Sequence, residues 1–124
     1  MEQIADVSIT AESADWLADF TRSIVNDRLA ACGNIVPSIR SIYRWEGTVE
    51  DDNEALVILH TRQSLVPAII ERANRDHPYD TPQVLAVPVT DANPAYRDWV
   101  LASTHDGNGY SLPDTCSEPR PDSA

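Results

Sequence analysis

A chain of 124 residues fits one domain, and a monomer of that length hides only about two thirds of the surface its unfolded chain exposes, so self-association would add useful burial. Its formal net charge of -11, with nine basic residues that are all Arg, argues against nucleic acid and anionic membrane surfaces as partners, since both are bound through clustered cations. The N-terminus MEQIADVSIT lacks a secretory leader pattern, and no apolar run approaches the roughly 18 residues of a membrane span, so a cytoplasmic protein is expected.

In chain order, Ala5 to Thr10 alternate apolar and polar side chains, the pattern of a half-buried first strand. Ser13 is placed to cap a helix, Asp15 complements its positive end, and Leu17, Phe20 and Ile24 with Trp16 and Val25 form a stripe at helical spacing. This helix is expected to end near Ala30 or Ala31, before Gly33. From Asn34 to Glu50 the side chains sort by parity, with Ile35, Pro37, Ile39, Ser41, Tyr43 and Trp45 on one face of an unusually long strand. Pro37 removes a ladder donor and marks an edge or a bulge. Gly47 and the acidic group Glu50, Asp51, Asp52 and Asn53 are expected to make the turn of a hairpin, a solvated tip without the loop pattern of a Ca or Mg site.

The next strand, Glu54 to Thr61, is apolar on both faces: Ala55, Val57 and Leu59 against Leu56 and Ile58. Helices on one side cannot cover both, so a second copy of the chain is the expected cover. Ser64 is expected to cap a second helix with Pro67 in its first turn and Leu65, Ala68, Ile69 and Ala73 buried, ending at Asp76 or Pro78. A last main strand follows from Gln83 to Val89, and Asn93 with Pro94 starts a short third helix to about Ala102. The reading gives one domain over residues 1–104 and a polar tail over 105–124, which also holds Cys116. With two cysteines in such unlike settings, no disulfide is expected.

Three islands stand out: LAACGNIVPSIRSIYRWEG from Leu29, HPYDTP from His77 and NPAYRDW from Asn93. In that order they resemble the CutA divalent-cation-tolerance family over roughly Ile4 to Thr104. The resemblance implies a ferredoxin-like βαββαβ α+β subunit with a short extra C-terminal helix, assembled as a homotrimer in which the long hairpin reaches a neighbour's sheet edge.

Cys32 and His77 are the candidate metal ligands, because thiolate and imidazole suit copper or zinc better than oxygen donors do. Their bland readings are a small core cysteine and a histidine that stops a helix. The resemblance links these positions to copper or mercury, and implies a further Cys position in the first strand that is Ile9 here, which leaves such a site short of a ligand. It also implies a Lys where His60 stands, a change from a permanent cation to a pH-sensitive group. Tyr43, Trp45, Tyr79 and Trp99, with Glu54 and His60, are candidates for a cleft between subunits, or for the subunit contact itself.

No nucleophile elbow or Gly-rich phosphate loop occurs, and only four glycines are present, so no catalysis and no obligatory cofactor are expected. The function expected from the resemblance is tolerance of copper and other divalent ions through non-catalytic binding between subunits. A trimeric small-molecule signalling module of the PII type and a structural trimer scaffolding another protein are the alternatives.

Overall fold

The structure, a computed structural model, describes residues 2–106; the polar tail, apart from His105 and Asp106, and Cys116 lie outside the described residues. Strand β1 (Ile4–Ala11) leads to helix α1 (Ala14–Asn26), the hairpin β2 (Cys32–Trp45) and β3 (Thr48–Arg62), helix α2 (Val66–Asp76), strand β4 (Val84–Pro88) and helix α3 (Pro94–Ala102). The sheet runs β2-β3-β1-β4 with every neighbouring pair antiparallel. That is the ferredoxin-like arrangement with one added helix.

Ser13 caps α1 as its position predicts, its Oγ accepting from the Trp16 N–H at 3.1 Å. The helix ends earlier than Ala30. The N–H of Arg28 bonds to the carbonyl of Val25, and that of Leu29 to the carbonyl of Ile24, while Arg28 turns to a φ of 61°. This is a Schellman ending with Arg where Gly is usual, and the flanking Ile24 and Leu29 are both buried. Arg28 also donates to the carbonyl of Ala102, so the strained residue ties α1 to the end of α3. Helix α2 likewise departs from expectation. Ser64 lies in a single 3-10 turn (Gln63–Leu65) and gives no side-chain cap; its backbone N–H instead donates to Glu2 Oε2 at 3.0 Å. Glu2 is held there by Arg62. Burial pulls the Glu2 carboxyl upward, but its bonds to Ser64 and Arg62 win and hold it below the usual range.

The hairpin turn is only two residues, Glu46 and Gly47, with φ of 48° and 82°, closed by the pair Trp45 and Thr48. Positive φ at both central positions follows the right-handed twist of the flanking strands. The acidic segment is therefore strand rather than turn: Asp51, Asp52 and Asn53 lie opposite Ile42, Ser41 and Arg40. It is tolerated because Arg40 grips Asp51 through two bonds of 2.9 and 2.8 Å and the Tyr43 hydroxyl donates to Asp52 at 2.5 Å.

Pro37 does mark a bulge. Val36 pairs with Leu56 but Ile39 with Glu54, so β2 carries one extra residue between them. One extra residue reverses every later side chain. Ile35 therefore faces the helices with Val57, whereas Ile39, Ser41, Tyr43 and Trp45 share the opposite face with Glu54 and Glu50, which corrects the single-face reading of the strand.

The core lies under α1 and α2, where Ala5, Val7 and Ile9 of β1 and Ala55, Val57 and Leu59 of β3 meet Leu17, Phe20, Ile24, Ile69 and Ala73. Arg72 of α2 is buried within it, donating to Ser23 Oγ at 3.0 Å and to Asp27 Oδ2 at 2.7 Å. A smaller cluster of Ile4, Ala31 and Val100 docks α3 across one end of the opposite sheet face.

Two stability outcomes follow from this packing. A Cβ at Gly33 would come within 2.5 Å of Thr21 Cγ2 and 3.0 Å of Leu59 Cδ2, and the β-branched Thr21 has little rotamer freedom to yield. Gly33→Ala is expected to lower the unfolding free energy by about 1–3 kcal/mol in a urea titration. Asp27→Ala strands the Arg72 charge in the core and is expected to cost about 3–5 kcal/mol, more than Arg72→Met, which removes the charge while filling its space; equal losses would count against a buried ion pair at this position.

Candidate functional site

Strand pairing defines what the sheet offers on the side away from α1 and α2. Cys32 and Asp6 lie opposite His60, Asn34 opposite Ile58, Val36 opposite Leu56, and Leu85 and Val87 opposite Ser8 and Asp6. All of these therefore share one face. Helix α3 covers only one end of it, leaving Leu85 57% and Val87 61% exposed, with Val36 exposed as well.

Under the edge of α3 the same face carries a polar group. His60 Nδ1 lies 2.6 Å from Asp6 Oδ1 and Nε2 lies 2.7 Å from Asn34 Oδ1, so the ring is held between a carboxylate and an amide. The Tyr96 ring stands edge-on to it, 6.1 Å between centroids, and the Tyr96 hydroxyl donates to Cys32 Sγ at 3.9 Å. Burial, reinforced by the contact with Cys32, raises the Tyr96 phenol above its ordinary range. Cys32 itself is a half-buried free thiol. Trp99 lies beside Tyr96 on α3 with its ring tilted by 41°, 5.5 Å between centroids, and is half-exposed.

His77 lies elsewhere. Its Nδ1 accepts from the Tyr79 backbone N–H at 3.0 Å, which leaves Nε2 as the nitrogen that donates to the carbonyl of Thr10 at 2.8 Å. Each partner has only one role available, so this tautomer is set by the backbone. The ring is buried between Trp16 and Tyr79. It offers no spare lone pair to a metal. Thr10 is four residues along β1 from Asp6, about 13 Å at strand rise, so the chain does not bring Cys32 and His77 together. Ile9 points into the core between the sheet and the helices. Among the described residues no group of three or more His, Cys, Asp or Glu side chains is arranged to hold a metal ion.

The aromatic candidates fare differently. Where the hairpin leaves the sheet, Thr10, Ser41, Ile42, Tyr43, Trp45, Glu54, Tyr79, Thr81 and Gln83 line a cleft of about 460 Å³. Tyr43, Trp45, Glu54 and Tyr79 thus meet in one place, while His60 and Trp99 do not belong to it. The bulge at Pro37 is what turns Ser41, Tyr43 and Trp45 toward Glu54, and the loop after α2 supplies Tyr79, anchored through His77. The Tyr79 hydroxyl donates to Glu54 Oε2 at 3.0 Å. Burial, and then the Glu54 carboxylate, push the Tyr79 phenol up to about 12. Tyr43 is also pushed up to about 12, mainly by its bond to Asp52. Thr10, Ser41, Thr81 and Gln83 carried no sequence signal of their own. Asp6 and Asn34 carry no such signal either, and their partner His60 is fifty-four residues from Asp6 along the chain.

Comparison with known proteins is consistent across sequence and structure. Residues 6–103 match the family described as CutA1 divalent ion tolerance protein. The chloroplastic protein CutA of Arabidopsis thaliana is 44% identical over 98 residues, covering 79% of this chain and 54% of that protein. The divalent-cation tolerance protein CutA of Thermus thermophilus is 39% identical over 104 residues, covering 84% and 99%. The crystal structure of CutA1 from Oryza sativa superposes with a TM-score of 0.82 at 39% identity, covering 85% of this chain and 96% of that one. The chain spans about half the length of the plant proteins it matches, 54% and 48%. No helix among the described residues is long and apolar enough to cross a membrane. The matched family is a divalent-cation tolerance family and not a known enzyme family. On the agreement of family match, identity and fold, this chain belongs to the CutA1 divalent-ion tolerance protein family.

Proposed function

We propose that this chain acts in tolerance of copper and other divalent cations as a homotrimer that holds the ion between subunits without catalysis. The observation that carries this reading is the uncovered sheet face, where the exposed Leu85, Val87 and Val36 lie beside the Cys32 thiol. Covering Leu85 and Val87 with another subunit would contribute about 1.5–3 kcal/mol each. Among the described residues no three donors are arranged for an ion, and in this reading a second subunit supplies the others. Cys32 supplies the soft donor that copper favours. The imidazole on its face is that of His60, whose Nε2 partner is the side-chain amide of Asn34, a group that can turn aside; His77 is committed to the backbone through both nitrogens. No step in this role makes or breaks a covalent bond.

A half-buried free thiol is consistent with a reducing compartment, and we place the protein in the cytoplasm on that ground. The word chloroplastic in the name of the Arabidopsis relative applies to that protein. A nucleotide-binding role of the PII type is disfavoured by the cleft itself, which presents Glu54 and no Arg to a phosphate.

Two measurements test the proposal separately. In sedimentation the protein is expected at three times 13.7 kDa, and Leu85→Asp with Val87→Asp is expected to give a folded single chain by circular dichroism. A wild-type protein that sediments as one chain overturns the assembly. In calorimetry with Cu²⁺ a saturable heat is expected that Cys32→Ser lowers at least tenfold in affinity and His77→Gln leaves within about twofold. A trimer whose copper heat is absent, or unaffected by Cys32→Ser, retains the assembly and overturns the metal role.

A further inference from the structure

The cleft at the root of the hairpin has no part in the metal reading, and its chemistry is distinctive. Its walls include three aromatic rings, Tyr43, Trp45 and Tyr79, and its one charged lining group is Glu54. Among the described residues no basic side chain lines it. Glu54 receives the Tyr79 hydroxyl on Oε2, and no bond from the described residues reaches its other oxygen.

Beyond the walls the surroundings are negative as well. Asp52 and Glu50 act on the Tyr43 phenol and Glu12 on that of Tyr79, so further carboxylates lie near two of the walls. Low-dielectric walls of one sign focus potential and concentrate ions of the opposite sign. Such a field repels phosphates and carboxylates. A neutral aromatic guest could stack on the rings, but it would cover the Glu54 charge without replacing its water, which is costly. A divalent metal ion needs several oxygen, nitrogen or sulfur donors, and no group of three is present among the described residues. What satisfies all the walls at once is a bulky, weakly hydrated cation: its alkyl groups lie against the rings, its charge is attracted by the ring faces, and the carboxylate balances it. At about 460 Å³ the cleft is within the size range of small-molecule sites.

We propose that this cleft is a binding site for a small organic cation of the alkylated ammonium class, with Tyr43, Trp45 and Tyr79 as its aromatic walls and Glu54 as its counter-charge. All of these residues belong to one chain. The site therefore stands independently of the copper reading. Trp45 is half-exposed and Tyr79 is held by its hydroxyl bond to Glu54 and its N–H bond to His77, so the site combines one adaptable wall with one pre-set wall, which lowers the ordering cost of binding.

The test uses the full chain and two probes of nearly the same shape: choline, and 3,3-dimethylbutan-1-ol, in which carbon replaces the charged nitrogen. Choline is expected to give a saturable heat with one site per chain, and the neutral alcohol to bind at least tenfold more weakly. Glu54→Gln, which preserves size and removes the charge, is expected to weaken choline at least tenfold, and Trp45→Ala likewise. Spectrophotometric titration of the phenols checks that Glu54→Gln is otherwise intact: Tyr43 should stay near 12 while Tyr79 falls from about 12 toward its ordinary value. Equal affinity for choline and the alcohol overturns the proposal. So does an intact Glu54→Gln protein that binds choline as the wild type does, or the absence of any saturable choline signal up to about 50 mM.

Discussion

The pairing of β2 with β3, and the single extra residue that β2 carries between Val36 and Ile39, sets where the chemistry of this molecule lies. Before the bulge, β2 is an ordinary edge strand whose Ile35 closes the core and whose Cys32, Asn34 and Val36 look away from the helices. Beyond it, Ser41, Tyr43 and Trp45 have changed sides and stand over Glu54 and the end of β1. Without the slip, the aromatic residues would continue the helix-facing row and no cleft would form at the root of the hairpin. Proline is well suited to that position, since a bulged residue leaves the ladder and makes no use of the N–H that proline lacks. The tight turn at Glu46–Gly47 then holds the register from the far end, so the outer hairpin is constrained at both limits.

A second constraint is the unequal covering of the sheet. Two helices bury one face over the central strands β1 and β3, with Val7, Ile9, Val57 and Leu59 inaccessible to solvent. The opposite face has one short helix across one end, and there the chain collects its polar contacts: His60 between Asp6 and Asn34, Tyr96 against Cys32, and Arg62 donating to Glu2, Thr104 and the carbonyl of Leu101. Arg62 joins the N-terminus, the end of β3 and the end of α3 in one half-buried knot. Elsewhere on that face Val36, Leu85 and Val87 are exposed.

The distribution of charge follows the same division. Ion pairs of Arg residues take up Asp19, Asp51, Glu2, Asp27 and Asp76. Of these, the pair between Arg72 and Asp27 is the one that bridges the two helices through the interior, and Ser23 shares its arginine. Glu12, Glu50, Asp52 and Glu54 have no Arg partner among the described residues, and they gather around the cleft. Four of the chain's twenty acidic residues thus add a local negative field at the cleft.

Element type and order were legible in the sequence, because periodicity of two or of 3.6 reports directly which side of an element meets the core. The Ser13 and Asn93 caps, the bulge at Pro37 and the two-sided apolar character of β3 could all be read from residue type, since each rests on a local rule about a side chain or a ring. Other features depended on neighbours remote in sequence. Arg28 takes the left-handed position that a Gly usually holds because the carbonyl of Ala102 and the burial of Leu29 support it there. The acidic run at Asp51 and Asp52 is strand because Arg40 and Tyr43 from the partner strand neutralise or bond it. Glu2 takes over the capping task assigned to Ser64. Cys32 and His77 looked alike as soft donors in the sequence, yet the fold puts one on an open face and locks the other to the backbone through both ring nitrogens. By itself the sequence determined the family, the order of elements and the residues able to carry chemistry, all properties of local pattern. Only the tertiary structure decided which of those residues meet, because a one-residue slip in strand pairing reverses side-chain direction without leaving any mark in composition or spacing.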